Sequence, residues 1–159
     1  MTMPSGLVVP PDGGERLPGT AVRNTVKVSH EATRGTFAAF EETTEPGAGP
    51  PVHVHLEQWE YFRVLDGEFE FLIGDERHRG GPGTVAIVPP NTRHGFRNVA
   101  DGPSTLEFLV TPAGHVDEYF RRLTAALETG VTDGAVLSEL GAEFGSINVA
   151  PPLSGDPIV

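Results

Sequence analysis

Gly47 to Gly67 reads GAGPPVHVHLEQWEYFRVLDG. Three potential metal ligands, His53, His55 and Glu60, fall within eight residues of it. Side chains of an extended chain alternate between faces, so His53 and His55 point the same way. Glu60 has the opposite parity. It joins them only if the chain turns in between, and Leu56-Glu57-Gln58-Trp59 is the expected turn. Glu60 to Leu65 then reads as a second strand, stopped by Asp66-Gly67, a strong hairpin signal. The stretch predicts two neighbouring strands that aim two imidazoles and a carboxylate into one cavity.

A fourth ligand candidate lies downstream, in GTVAIVPPNTRHGFRN, residues 83–98. Val85 to Val88 is a short apolar strand. Pro89-Pro90-Asn91 must turn, because proline cannot continue a ladder. His94, Phe96 and Asn98 then share one face of the next strand. Three histidines and one carboxylate form a mixed N/O donor set, which suits borderline divalent transition metals.

These residues carry a family resemblance. The first stretch resembles the first cupin motif, G(X)5HXH(X)4E(X)6G, on Gly47, His53, His55, Glu60 and Gly67, with every interval met. The second resembles the second cupin motif, with Gly83, Pro89, His94 and Asn98 in place. It departs at Asn91, where that motif usually has glycine. Asn is the next most tolerant residue for a left-handed turn.

The resemblance implies an all-β double-stranded β-helix, or jelly-roll barrel, with one metal ion per subunit. It is similar to small single-domain cupins described as quercetinase-like, which include dioxygenases of flavonols and related enols. In that group three histidines and a glutamate hold the metal, and the glutamate can act as base. Carried over, the ligands are His53, His55, His94 and Glu60, with Glu60 also the catalytic residue. The metal is left open among Fe, Mn, Ni, Cu, Co and Zn. Cupins commonly dimerise through an N-terminal strand or a sheet face, so a homodimer is expected.

Composition bounds the rest. The chain has 159 residues, enough for one domain with a real core. Twenty glycines and fifteen prolines imply many turns, which together with frequent short apolar runs favour an all-β chain. A formal net charge of −11 repels phosphate backbones and anionic lipid, so neither nucleic acid nor a membrane surface is an expected partner. The chain has no cysteine, which removes disulfides and thiolate metal sites and is compatible with a reducing cytosol. No apolar run approaches the ~18 residues of a membrane span. The N-terminus lacks a basic start followed by an apolar block, so no secretory signal is expected.

Four segments are expected. Residues 1–20 read as a loose arm with a short edge strand at Gly6-Leu7-Val8-Val9. Residues 21–112 form the barrel, with nine or ten strands at close, regular spacing. Thr20 to Ser29 and Arg34 to Thr43 are two of them, the latter with Phe37 in the core. Phe69, Phe71 and Ile73 share a face, as do Leu106, Phe108 and Val110. Residues 113–145 carry two helices on the outside of the barrel. The first holds Val116, Tyr119, Phe120, Leu123, Ala126 and Leu127 at helical spacing. The second is capped by Asp133, with Leu137, Leu140 and Phe144 on its stripe. Residues 146–159 read as an irregular tail.

Trp59, Phe62, Phe71, Phe96 and Phe108 are candidates to line a substrate pocket or fill the core. His30, His78 and His115 read as solvated surface histidines. Gln58 is expected to be exposed, and Arg63 and Arg97 to point outward. Three functions remain open. One is a metal-dependent dioxygenase using dioxygen on a small aromatic or enolic compound. Another is a non-oxidative isomerase or cyclase with Glu60 as base. The third is a non-catalytic binder of a small metabolite. No helix-turn-helix pattern accompanies the barrel, which argues against a DNA-binding regulator.

Overall fold

The computed structural model describes residues 6–156. The first five and last three residues, the ends of the expected arm and tail, lie outside the described residues. In chain order the elements are β1 (Glu15–Arg16), β2 (Val22–Val28), β3 (Ala38–Thr44), β4 (Pro51–His55), β5 (Trp59–Asp66), β6 (Phe69–Ile73), β7 (Glu76–Gly80), β8 (Val85–Val88), β9 (His94–Asn98), β10 (Ser104–Thr111), α1 (Val116–Glu128), α2 (Gly134–Glu143) and β11 (Ser146–Pro152). The strands form two sheets, ordered β1-β2-β3-β10-β5-β8 and β11-β4-β9-β6-β7, with antiparallel pairing throughout. This is the two-sheet β architecture expected of a jelly roll.

Strict alternation makes the core. β3 and β10 bury every second residue, so Ala38, Phe40, Leu106, Phe108 and Val110 all face inward. Phe62 and Val64 of β5 continue that layer, and Phe69, Phe71 and Phe96 answer from the opposite sheet. Phe40 and Phe108 stack with centroids 4.6 Å apart, and Phe62 meets the Phe96 ring edge-on at 5.4 Å. Fully burying such a ring contributes about 1.5–3 kcal/mol. This aromatic layer is therefore the main cohesive element between the sheets.

Several expectations need correction. The strand proposed at Arg34 begins at Ala38, so its parity is set by Phe40, and Phe37 is only half-buried before the strand. No strand forms at residues 6–9, where Leu7 and Val8 are exposed; the edge strand is β1, paired with β2. The expected irregular tail contains β11, which extends the second sheet by pairing with β4. Beyond it Leu153 packs against Val52 and Leu72 on that sheet's outer face. This cover explains why β6 is buried on both faces. It also buries Arg97, which had been expected to point to solvent. Its guanidinium lies 3.2 Å from the fully buried Glu70 and donates to the Gly155 carbonyl at 2.7 Å.

The two helices form where the periodicity places them. Asp133 caps α2 through Ala135 N–H at 2.8 Å. The apolar stripe of α1 faces the space between the sheets, with Val116 and Phe120 packed on the barrel core. Phe120 lies 5.1 Å from Phe40 and 5.8 Å from Phe108. His30 anchors the start of this helix. It is no solvated histidine: its Nδ1 lies 2.7 Å from Oδ1 of the buried Asp117.

Candidate metal centre

β4 ends on His53-Val54-His55, and the chain then crosses from one sheet to the other through Leu56–Gln58. This crossing resolves the parity conflict, because Glu60 enters from β5 of the facing sheet. Gln58 fixes the corner. It is buried rather than exposed, and its Nε2 donates to the Pro112 and Ala113 carbonyls at 3.1 and 2.9 Å. The Pro89-Pro90-Asn91 turn supplies the last strand. Asn91 sits at φ 62°, the left-handed conformation that its amide side chain tolerates, and its N–H donates to the His55 carbonyl at 2.8 Å. His94 then opens β9 directly opposite His53.

The ligand atoms of His53, His55, Glu60 and His94 all lie within 4.8 Å of one another. Oε2 of Glu60 is 3.1 Å from Nε2 of His55 and 2.9 Å from Nε2 of His94. Two of the rings are locked from behind. Nδ1 of His53 lies 2.8 Å from the Pro51 carbonyl, and Nδ1 of His94 lies 2.9 Å from the Thr92 carbonyl. A carbonyl only accepts, so each Nδ1 carries a hydrogen and each Nε2 presents its lone pair to the cluster. Nδ1 of His55 is buried without a partner, so nothing behind that ring fixes its tautomer.

This donor set fits a cation. At 2.9 and 3.1 Å the Glu60 carboxylate and the imidazole nitrogens of His94 and His55 need a proton or a cation between them. Without a metal that role falls to a proton. Burial lowers the proton affinity of His94, but the Glu60 carboxylate outweighs it and holds the imidazole above its ordinary pKa. Burial likewise opposes ionisation of Glu60, yet His55 and His94 hold its carboxyl far below the usual range. Burial, reinforced by His94, pushes His53 well below an ordinary histidine. The cluster is therefore an ionised carboxylate beside at least one neutral imidazole at neutral pH, the states in which these groups bind metals.

The cluster stands at one side of a cavity of about 280 Å³. Phe62, Phe96 and Phe108 line it from the sheets, and Tyr119, Phe120 and Leu123 from α1. Of the other aromatic candidates, Phe71 is buried in the core and is no part of the cavity wall. Trp59 is 49% exposed, on the outward face of β5.

Sequence reasoning passed over Ser146 and Asn148 in the wall and, with more consequence, the pair Glu42 and Asn24. Both are buried, at 4% and 6% exposure. Burial raises the Glu42 carboxyl to about 7, against hydrogen bonds from Thr44 and Asn24 that favour its anion. The signal that finds them is parity. Glu42 is two residues from Phe40 on β3, and Asn24 is two residues from Val26 on β2, so each shares a face with a core residue.

Comparisons with known proteins agree with this architecture. Residues 40–112 match the family model described as the cupin domain. Protein SchB of Streptomyces halstedii is 31% identical over 93 residues, covering 54% of this chain and 67% of SchB. Oxidoreductase macE of Penicillium terrestre is 40% identical over 63 residues, or 39% of this chain, but the match spans only 23% of macE's length. Among solved structures, a sugar phosphate isomerase from a cupin superfamily, from Silicibacter pomeroyi, superposes with a TM-score of 0.58. It is 24% identical, over 66% of this chain and 75% of that one, a likeness of fold alone. Both sheets, the His–Glu cluster at their junction and these matches lead to one assignment: the chain belongs to the cupin superfamily.

Proposed function

We propose that the protein is a metal-dependent oxidoreductase of dioxygenase type, acting on a small aromatic or enolic compound. The observation that carries this reading is the convergence of His53, His55, Glu60 and His94 beside a largely apolar cavity whose wall includes the rings of Phe62, Phe96, Phe108, Tyr119 and Phe120. The oxidoreductase name of macE supports it on a short match. A divalent transition metal bound there (Fe, Mn, Ni, Cu, Co or Zn) would supply Lewis acidity and, where redox-active, electron exchange with dioxygen. The three imidazoles and Glu60 would hold it. Phe62, Phe96 and Phe108 would orient a planar ligand and exclude water. Glu60, kept ionised, is the candidate acceptor for a substrate proton, although its depressed pKa suits it better to ligation than to strong base catalysis. No lysine or arginine lines this cavity among the described residues, so a phosphorylated substrate is disfavoured.

A second reading is a non-oxidative isomerase or cyclase. It is favoured by Glu42, a cavity carboxyl whose pKa of about 7 suits proton transfer near neutral pH. Elemental analysis of protein as purified, followed by an oxygen-electrode screen with flavonols and 1,3-diketones, separates the two. Oxygen uptake supports the first. Turnover without uptake supports the second. Binding without turnover under every metal leaves a non-catalytic binder.

The same proposal includes a homodimer. Tyr61 and Leu65 of β5 and Val85 and Ile87 of β8 share the outward face of one sheet, with Leu65, Val85 and Ile87 exposed. A monomer by light scattering at micromolar concentration would remove this part.

A further inference from the structure

Glu42 and Asn24 lie on the same cavity wall as the aromatic layer but at a different level from the His–Glu cluster. Glu60 pairs through Val110 with Ala38, whereas Glu42 pairs through Leu106 with Val64. Glu42 is thus four residues along β3 from the level of Glu60, roughly 13 Å of strand rise. Between the two levels the wall carries Phe62 and Phe108, which pair across β5 and β10. The cavity therefore carries two polar regions with aromatic rings between them, near enough that the Glu60 charge adds to the burial that raises Glu42.

The second region has its own donor and acceptor. Oγ1 of Thr44 donates to Oε1 of Glu42 at 2.9 Å, and the Asn24 side chain also bonds to the carboxyl. Oδ1 of Asn24 is buried with no partner at all. A buried polar atom without a partner costs about 1–3 kcal/mol, and a buried carboxyl with no cation beside it costs more. Such a cost is typically retained where a ligand offsets it.

We propose that Glu42 and Asn24 form a second, ligand-selecting subsite that takes a phenolic, enolic or keto oxygen at the end of a planar ligand remote from the His–Glu cluster. A hydroxyl matches the pair, donating to Asn24 Oδ1 while accepting from the Glu42 carboxylic acid. Burial that raises Glu42 to about 7 keeps a large share of that acid protonated at neutral pH. The preferred substrate class is then a two- or three-ring aromatic or enolic compound oxygenated at both ends. A cavity of about 280 Å³ lies just below the ~300–1,000 Å³ of drug-sized sites, which favours the smaller members of that class. The inference rests on the cavity's being a small-molecule site, and not on oxygen chemistry.

The test is anaerobic calorimetric titration of protein as purified with 1-naphthol and with 1,5-dihydroxynaphthalene. The second hydroxyl should tighten binding by at least about tenfold. Glu42→Leu should reduce that preference to under twofold, and Glu42→Gln, which keeps a donor and an acceptor, should restore most of it. Amide NMR of the wild-type protein needs no variant to fold. The Asn24 side-chain resonances should shift on adding the diol. Equal affinity for both probes, a preference that survives Glu42→Leu, or unmoved Asn24 resonances would each overturn the subsite. None of these readouts requires turnover, so a failed oxygen-uptake screen would leave this inference intact, and the reverse.

Discussion

His53 and His94 are direct cross-strand partners on β4 and β9, with ring centroids 4.3 Å apart. One ladder position thus supplies two of the four candidate ligands from segments 41 residues apart in the chain (94 − 53). Each ring is held by a carbonyl two residues before it, Pro51 for His53 and Thr92 for His94. Small errors in sheet register would separate them, so the site depends on the fold and not on local sequence alone.

Replacing either partner should empty the centre. His53→Ala or His94→Ala is expected to lower metal affinity by at least about 100-fold, since even outer-shell changes cost 10–100-fold. Elemental analysis after desalting reads the effect, and the melting temperature should fall with the ion because binding to the native state alone stabilises it. Full metal content in either variant would remove that residue from the ligand set.

Protons should compete with the metal. Glu60 holds the His94 imidazole above its ordinary pKa in the bare site, so a proton is a strong rival for Nε2 there. Metal occupancy is expected to decline below about pH 6 as imidazoles protonate. Equilibrium dialysis against buffers from pH 7.5 to pH 4.5 would follow it. Occupancy unchanged at pH 4.5 would contradict a histidine-dominated site.

Much of this centre was legible because its residues obey short-range rules. His53 and His55 share parity, and Pro89-Pro90-Asn91 compels the turn that delivers His94. What escaped was decided at long range. Placing Phe37 in the core put Glu42, of opposite parity, on the outer face; the strand begins at Ala38 and its parity follows Phe40, so Glu42 faces inward. Arg97 was assigned to solvent by parity, correctly for a sheet with a bare outer face. The C-terminal segment covers that face, and neither β11 nor Leu153 carries a local strand signal strong enough to announce it. The α1 stripe was legible as a helix, but periodicity does not say which surface it meets.

The Asp66-Gly67 turn offers a test of the fold apart from the site. Gly67 sits at φ 76°, and a Cβ added there would clash with Oγ of Ser104. Ser104 is not free to retreat, because its hydroxyl donates to Asn98 Oδ1 at 2.9 Å and accepts from Glu68 N–H at 3.1 Å. Asn98 in turn donates to the Thr44 and Gly102 carbonyls, so strain would spread through three turns. Gly67→Ala should cost about 3 kcal/mol, combining left-handed strain with overpacking. Urea denaturation would measure it, and a loss under about 1 kcal/mol would mean the turn relaxes freely.

Glu42 should leave a signature in stability against pH. Its carboxyl is raised by burial from 4.5 in the open chain to about 7 in the fold. The folded state therefore keeps a proton that the unfolded state has released between those values. Rising pH favours the state with fewer protons, so the contribution of Glu42 is fully present below about pH 4.5 and is lost as pH climbs through about 7. Two to three pH units of such linkage amount to something on the order of 3 kcal/mol. Other groups titrate in the same window, so the measurable quantity is a difference. Urea unfolding of chelator-treated wild type and Glu42→Gln at pH 5 and pH 7.5 should show wild type losing more stability than the variant over that interval. Parallel losses would place the Glu42 carboxyl in contact with water and withdraw the acid that the second subsite requires.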